Sequence, residues 1–445
     1  MNDNFEYTDV NEMFPTSERF RVFADGRELK VVADDEYDYV NILTTDIVDV
    51  RVEVNGEVEK IDLRPTRRQK KYEINGNGVS FRMAYGDYYS FEVNGDLSHP
   101  LLLFCDQPIP VQKYDGEKVI YIKPGTYEKV DIIQPESDTV IFVDEGAILD
   151  GKINASGASR LRIVGNGCIF AKNVLSGGKA HPINLNNCTD VEINGVTIIG
   201  YHTWNIRLWK CRNVLIHNVK IMSYDEWSDG IDIMGCDNVV IRHIFVKNED
   251  DCVCIKTSKS SSGNFEGGSV SNVLVEDCVL WSGPRGNSLE IGYELNNGTI
   301  ENVLFRNVDV IHRQTRPVKY HRAVLSMHNA GNATVRNITY ENIYAEETEE
   351  NFIMLSHMHV PVWGMGNGMI ENVRIRNVTL AGGELRPSFV RCRPNGLPEG
   401  ENHSCILRNV TFENLVIHGE HIDSVEKAKE YGFTIDAESE NIQFV

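Results

Sequence analysis

The chain has 445 residues, 41% apolar and 24% charged, the balance of a folded soluble protein with room for a large core or for two to three domains. Its 44 Lys and Arg against 65 Asp and Glu leave a formal net charge of −21, a field that repels nucleic acid and anionic membrane, so neither is expected as a partner. No apolar run approaches the roughly 20 residues that cross a bilayer. "MNDNFEYTDV" lacks the basic start and apolar stretch of a secretory leader, so a cytoplasmic protein is expected, or a secreted one whose leader has been removed.

Residues 1–112 open with alternating apolar and polar runs, "RFRVFADGRELKVVA", "YVNILTTDIVDVRVEVNG" and "KKYEINGNGVSFRMAYGDYYSFEVNG", joined by Asp-Gly, Asn-Gly and Gly-Asp turns. Period-2 alternation with such turns predicts antiparallel strands, and the unit reads as an N-terminal β-sandwich-like domain that also covers the open N-terminal edge of the next domain.

From residue 113 to 445 the pattern changes to a recurring pair of short strands: "CTDVEINGVTI", "CRNVLIHNVKI", "CDNVVIRHIFV", "VSNVLVEDCVL", "IENVLFRNVDV", "ATVRNITYENI", "IENVRIRNVTL" and "LRNVTFENLVI". The repeat of 21 to 37 residues, with no helical periodicity between strands, predicts one coil of a parallel β-helix per unit. Asn, Asp and Gly between the runs suit the left-handed backbone of sharp corners. The fold class is therefore all-β, a solenoid with an N-terminal antiparallel domain, and "SVEKAKEYG" near the end reads as a short capping helix. Ten cysteines fall mostly inside apolar strand runs, where thiols act as small hydrophobes. Cys252 and Cys254 form C-x-C without a second ligand pair, and neither a metal nor an organic cofactor is expected.

Carboxylates concentrate in "WSDGIDIMGCDNVVIRHIFVKNEDDCVCIKT", residues 227–257. Asp250 lies 21 residues after Asp229, one short coil, so the two should stack on adjacent turns with Asp251 and Asp232 beside them. Clustered like charges raise one another's pKa, which leaves one carboxyl protonated near neutral pH and another ionised, the pairing that glycosidic acid/base chemistry needs. Asp at solenoid corners also satisfies backbone donors with no catalytic role, and clustered carboxylates with Asp225, Glu226 and Glu249 nearby are oxygen ligands for calcium. Those readings stand beside the catalytic one.

"SDGIDI" followed by "DDCVCIK" resembles the paired signature of the polygalacturonase clan, glycoside hydrolase families 28 and 49, and "GNSLEIGYELNNGTIENVLFRNVDVIH" is similar to family 49, the dextranase and isopullulanase group. The resemblance implies a right-handed parallel β-helix and inverting hydrolysis. It assigns Asp250 as the general acid and Asp229 and Asp251 as the carboxylates that hold and deprotonate water, with Asp232 as a supporting neighbour and Lys256 as a cation at the site. Polygalacturonases carry Gly-His-Gly after the acid pair, where this chain has Asn287, and an Arg-Ile-Lys that binds the uronate, for which no counterpart exists here. The charge-assisted hydrogen bonds of such a fork are worth roughly 1.5–3 kcal/mol each, so without it a neutral glycan such as an α-glucan is expected in place of polygalacturonate.

Further substrate-binding candidates are Glu290, turned outward by the apolar parity of Leu289 and Ile291, and Asn287 as a ligand of sugar hydroxyls. Arg322 and His328 belong to a basic cluster with His312, Arg313, Arg316, Lys319 and His321, and Trp204 and Trp227 flank the proposed cleft as stacking platforms. Loops such as 258–269 and 384–404 read as walls of a pocket. A transglycosylase or a lyase on the same site, or a glycan-binding solenoid without catalysis, are the competing functions.

Overall fold

The computed structural model describes residues 7–9, 14–111, 117–171, 181–200, 203–258, 267–315, 322–360 and 366–445. Its strands form two five-stranded sheets near the N-terminus and one sheet of 29 strands, which runs to Glu440–Phe444 and takes Tyr7–Asp9 as an antiparallel neighbour of Thr126–Ile133.

Alternating strands must bury one face. Phe20, Val22, Val50 and Val52 of one small sheet meet Val40, Ile42, Leu101 and Leu103 of the other in a shared apolar cluster, so the two sheets form a sandwich. Strand Leu101–Asp106 breaks the alternation, with all six residues buried. Its second face, Leu102 and Phe104 joined by Tyr37, Tyr39 and Tyr88, packs on Ile199, Met222, Phe245, Val279, Trp281 and Ile311 of the large sheet. A strand apolar on both sides is what a middle layer requires.

The large sheet is a parallel β-helix. Each strand pairs in parallel with its equivalent one coil on, as in the column Ile206, Ile231, Val253, Leu289 and Leu325. The corners explain the Asn-Val repeat. Asn213, Asn238, Asn272, Asn302, Asn337, Asn372 and Asn409 all have φ of 55–58°, the left-handed region that Asn tolerates better than other side chains. Their amides also bond from coil to coil: Asn238 Nδ2 donates to Asn213 Oδ1 at 2.9 Å, Asn372 to Asn337 at 3.3 Å and Asn409 to Asn372 at 3.1 Å. One residue type thus turns the chain and ties adjacent coils. The last coil is closed by helix Val425–Glu430, capped by the Ser424 side chain, with Ala428, Phe433 and Phe444 in the core. All ten cysteines are free thiols, nine of them buried.

Candidate active site

Strands Ile206–Trp209, Ile231–Met234, Val253–Lys256 and Leu289–Tyr293 lie side by side on one face of the solenoid. Ile231, Ile233, Val253, Ile255, Leu289 and Ile291 fill the core, so the intervening Asp232, Lys256 and Glu290 point away from it. Asp229 and the Asp250–Asp251 pair precede their strands. The coil here is 22 residues, since Ile231 stands opposite Val253. Carried back two residues, that register sets Asp229 level with Asp251, and the Gly230 N–H donates to the Asp251 carbonyl at 2.8 Å. The expected stacking of Asp229 on Asp250 is therefore corrected by one residue. Gly286 follows from the same close approach: a β-carbon there would collide with the backbone between Asp250 and Asp251.

One carboxylate oxygen from each of Asp229, Asp250 and Asp251 lies within 4.8 Å of the other two. Burial, with the charge of Asp251 next in weight, pushes Asp250 up to about 7, while Arg322 and Lys256 pull it back. Asp229 is pushed well above the usual carboxylate range by burial, then by Asp232 and Asp250. Burial also takes Asp232 up to about 6 against the pull of Lys256. Lys256 lies 3.3 Å from Asp229 and 2.8 Å from Asp232, and these charges hold its ammonium well above an ordinary lysine despite its burial. Asp251 Oδ1 accepts two hydrogen bonds from Asn287, one from the backbone N–H at 2.7 Å and one from Nδ2 at 2.8 Å. Asp250 Oδ1 accepts the N–H of Asp251 at 3.0 Å. Burial and like charge thus keep protons on Asp229 and Asp250 near neutral pH, while Asp251 is the member with two donors fixed on one oxygen.

The same three oxygens could reach a metal ion. The Lys256 ammonium already supplies a cation against Asp229 and Asp232, which makes the set a poor fit for a divalent ion such as calcium, bound by six to eight oxygens.

The remaining candidates divide by exposure. Asp232, Asn287, Glu290 and His328 are fully buried. Glu290, expected on the cleft wall, instead has its carboxylate taken by His328 Nδ1 at 3.0 Å and by the Ser326 hydroxyl, because the next coil closes over it. Asn287 is bound on both sides, its Oδ1 accepting the Ala323 N–H at 2.8 Å. These residues support the site from behind and present no surface to a sugar. Lys256, 3% exposed, sits with Nζ 3.9 Å from the centre of the Trp204 ring, and His181 stacks along that ring at 5.6 Å. Trp227 is 53% exposed and held at φ 67°, a strained conformation for a bulky residue. Arg322 is half-buried and donates to the Tyr293 hydroxyl at 2.7 Å, while Tyr293 stacks face to face on His328 at 4.4 Å. Tyr293 and His181 were missed from the sequence. Each touches the site across coils, and neither carries a local signal of it. Arg316, Lys319, His321 and most of the 258–269 loop lie outside the described residues.

Residues 146–429 match the model of glycosyl hydrolases family 28. The chain belongs to that family. Among relatives, this family 28 protein is 28% identical over 267 residues to a polygalacturonase from Phaedon cochleariae, a match covering 56% of this chain and 64% of the relative, so under two thirds of that protein is spanned. Among solved structures it superposes on Dex49A from Penicillium minioluteum with a TM-score of 0.59 at 13% identity, over 97% of this chain and 95% of that one. A family 28 exopolygalacturonase from Yersinia enterocolitica gives 0.56 at 13% identity with the same coverage. At that identity the structures speak for the fold, which the family 28 protein shares from the N-terminal sheets to the last coil.

Proposed function

We propose that this protein hydrolyses glycosidic bonds in a poly- or oligosaccharide, with Asp250 protonating the leaving oxygen, Asp251 deprotonating water and Asp229 holding that water. The observation that carries this reading is the trio of carboxylates within 4.8 Å, Asp229 and Asp251 buried and Asp250 half-buried, in which Asp250 is pushed up to about 7. Asn287 fixes the Asp251 carboxylate, leaving Oδ2 to the water, and Lys256 offsets the charge of Asp229 and Asp232. Trp227, and the accessible part of Trp204 and Arg322, are the surfaces offered to sugar.

The sugar at the carboxylates is a neutral one, such as a glucose residue of an α-glucan. Among the described residues, the cations beside the trio are committed, Lys256 to Asp229 and Asp232, and Arg322 to Tyr293 with the Arg285 carbonyl. A uronate carboxylate placed there would face carboxylates without a partner of its own.

Two stereochemical readings compete. The family resemblance implies inversion. Retention on the same carboxylates is the rival, and a retaining site could also transfer the sugar to another sugar. Reducing-sugar release by wild type and Asp250→Asn across dextran, pullulan, pectic and fructan oligosaccharides tests the activity. Turnover of one class, lost in the variant and unchanged by EDTA, supports it; silence across the panel goes against it. The anomer formed in the first turnovers, read by proton NMR, separates inversion from retention.

A further inference from the structure

Arg322 bears on Asp250 without being paired to it. Burial and Asp251 push the Asp250 carboxyl up, and among the groups that pull it back Arg322 comes ahead of Lys256. Yet among the described residues the guanidinium makes no ion pair with Asp250 or Asp251. Its NH1 donates to the Tyr293 hydroxyl at 2.7 Å and its Nε to the Arg285 carbonyl. A carboxylate is the stronger partner for an arginine, so a guanidinium that stands beside two of them and faces a phenol and a carbonyl is held there by its surroundings.

The anchors are rigid. Tyr293, at the end of strand Leu289–Tyr293, is buried, and its ring stacks on His328 with centres 4.4 Å and planes 3° apart. His328 is fixed in turn, its Nδ1 lying 3.0 Å from both carboxylate oxygens of Glu290, to which the Ser326 hydroxyl also donates. The Arg322 guanidinium lies 5.3 Å from the centre of the Tyr293 ring, so it is met by the ring as well as by the hydroxyl. The second anchor belongs to a residue whose own N–H donates to the Glu249 carbonyl at 2.9 Å. Moving the phenol would break a stack and a buried His–Glu contact, so the direction in which Arg322 points is set from the two coils beyond Asp250.

We propose that Tyr293 is a positioning residue for the hydrolysis: with the Arg285 carbonyl it holds the Arg322 guanidinium off Asp250, leaving that carboxyl free to give its proton to the leaving oxygen. The inference rests on the reading of Asp250 as the acid and deepens it. Asp229, Asp251 and Lys256 also face Asp250, while Asp251, Glu290 and Arg313 face Arg322. Among these groups the phenol is the one that carries no charge near neutral pH, so loss of its hydroxyl acts through the position of Arg322 alone. Released, the guanidinium would pair with Asp250 and favour the ionised acid; removed, it would withdraw that pull altogether.

Titration of the full-length protein, labelled with carbon-13 at the Asp carboxyls, tests this by NMR, the Asp250 signal being the one lost in Asp250→Asn. No substrate is needed, so a failure of the tether is told apart from a failure to hydrolyse. Tyr293→Phe keeps the ring and its stack on His328, and should lower the Asp250 midpoint by about half a pH unit or more, whereas Arg322→Met should raise it. The double variant should behave as Arg322→Met does, because the hydroxyl acts only through the guanidinium. On a glycan that the wild type cleaves, the basic limb of kcat/KM should move in the same two directions, with the loss in Tyr293→Phe largest near neutral pH and recovered in acid. An Asp250 midpoint unchanged or raised in Tyr293→Phe, or a lowering that persists in the double variant, would overturn the proposal.

Discussion

Asp250 illustrates how one side chain ties stability to chemistry. Its folded pKa of about 7 exceeds that of an unfolded Asp because burial and Asp251 oppose its ionisation. Ionising Asp250 therefore costs the native state nothing below about pH 4, progressively more between pH 4 and 7, and the full amount above about pH 7. Asp250→Asn should raise the unfolding free energy from urea titration at pH 8 by about 1–4 kcal/mol, and leave it unchanged at pH 4 while abolishing turnover. Equal effects at both pH values would contradict the burial of a proton at this carboxyl. In the wild type, kcat/KM should fall as pH rises through about 7, because the acid loses its proton there; a profile flat to pH 9 would assign the acid elsewhere. Lys256 acts in the opposite sense. Lys256→Met strands Asp229 and Asp232 as buried charges and should cost about 3–5 kcal/mol, part of it recovered in the double variant with Asp232→Asn. Additive losses in that cycle, read from denaturant midpoints, would mean that the pair is not coupled. The trio was legible in the sequence because its members fall within 23 residues and stand just before two apolar strands. His181 and Tyr293 were not, since what brings them to Trp204 and Arg322 is the stacking of coils, which no local pattern states.

At the scale of the strand and its corner, the Asn-Val repeat announced the solenoid because each Asn answers a local demand, a left-handed residue every coil, that the neighbouring sequence cannot hide. The demand has two parts that substitution can separate. At Asn337, φ is 56° and the side chain bonds to Asn302 below and Asn372 above. Asn337→Ala loses the bonds and strains the backbone, and should cost about 1–3 kcal/mol. Asn337→Gly loses the bonds but relaxes the corner, and should cost less. Thermal midpoints in the order Asn, Gly, Ala fit a corner governed by backbone; Gly and Ala falling equally far below Asn would place the weight on the amide ladder. Neither change should alter kcat, as Asn337 lies outside the site strands. The precise level of Asp229 against Asp251 was not legible, because coil lengths here vary from one repeat to the next and a single residue shifts every partner.

For the whole molecule the question is whether the sandwich and the β-helix are separable. Alternation predicted the sandwich, yet nothing local in "PLLLFCD" told which neighbour would take its second face. That face packs Leu102, Phe104 and Tyr88 on Phe245, Val279 and Trp281, each below 2% exposure. Charges are sealed in with it: Asp106 accepts from Lys220 at 2.5 Å, Arg64 joins Glu92 at 2.9 Å to Glu346 at 2.7 Å, and His312 reaches Glu92 at 2.8 Å. Removing residues 1–112 would thus bare an aromatic patch on Phe245 and Trp281, strip Lys220 of its carboxylate and leave Glu346 without Arg64, a combination of hydrophobic exposure and unpaired charge. The β-helix expressed alone as residues 113–445 should accumulate as aggregate, or as soluble protein that binds a hydrophobic dye and unfolds at a lower temperature than the full chain. A milder break tests the same surface without truncation. Arg64→Met should lower the unfolding midpoint by about 3 kcal/mol or more, because Glu92 and Glu346 would then be buried as uncompensated carboxylates, and the deficit should shrink as pH falls and Glu346, already pushed above its usual range by burial, takes up a proton. A 113–445 fragment that is monomeric, dye-silent and as heat-stable as the full chain would show instead that the two units merely touch.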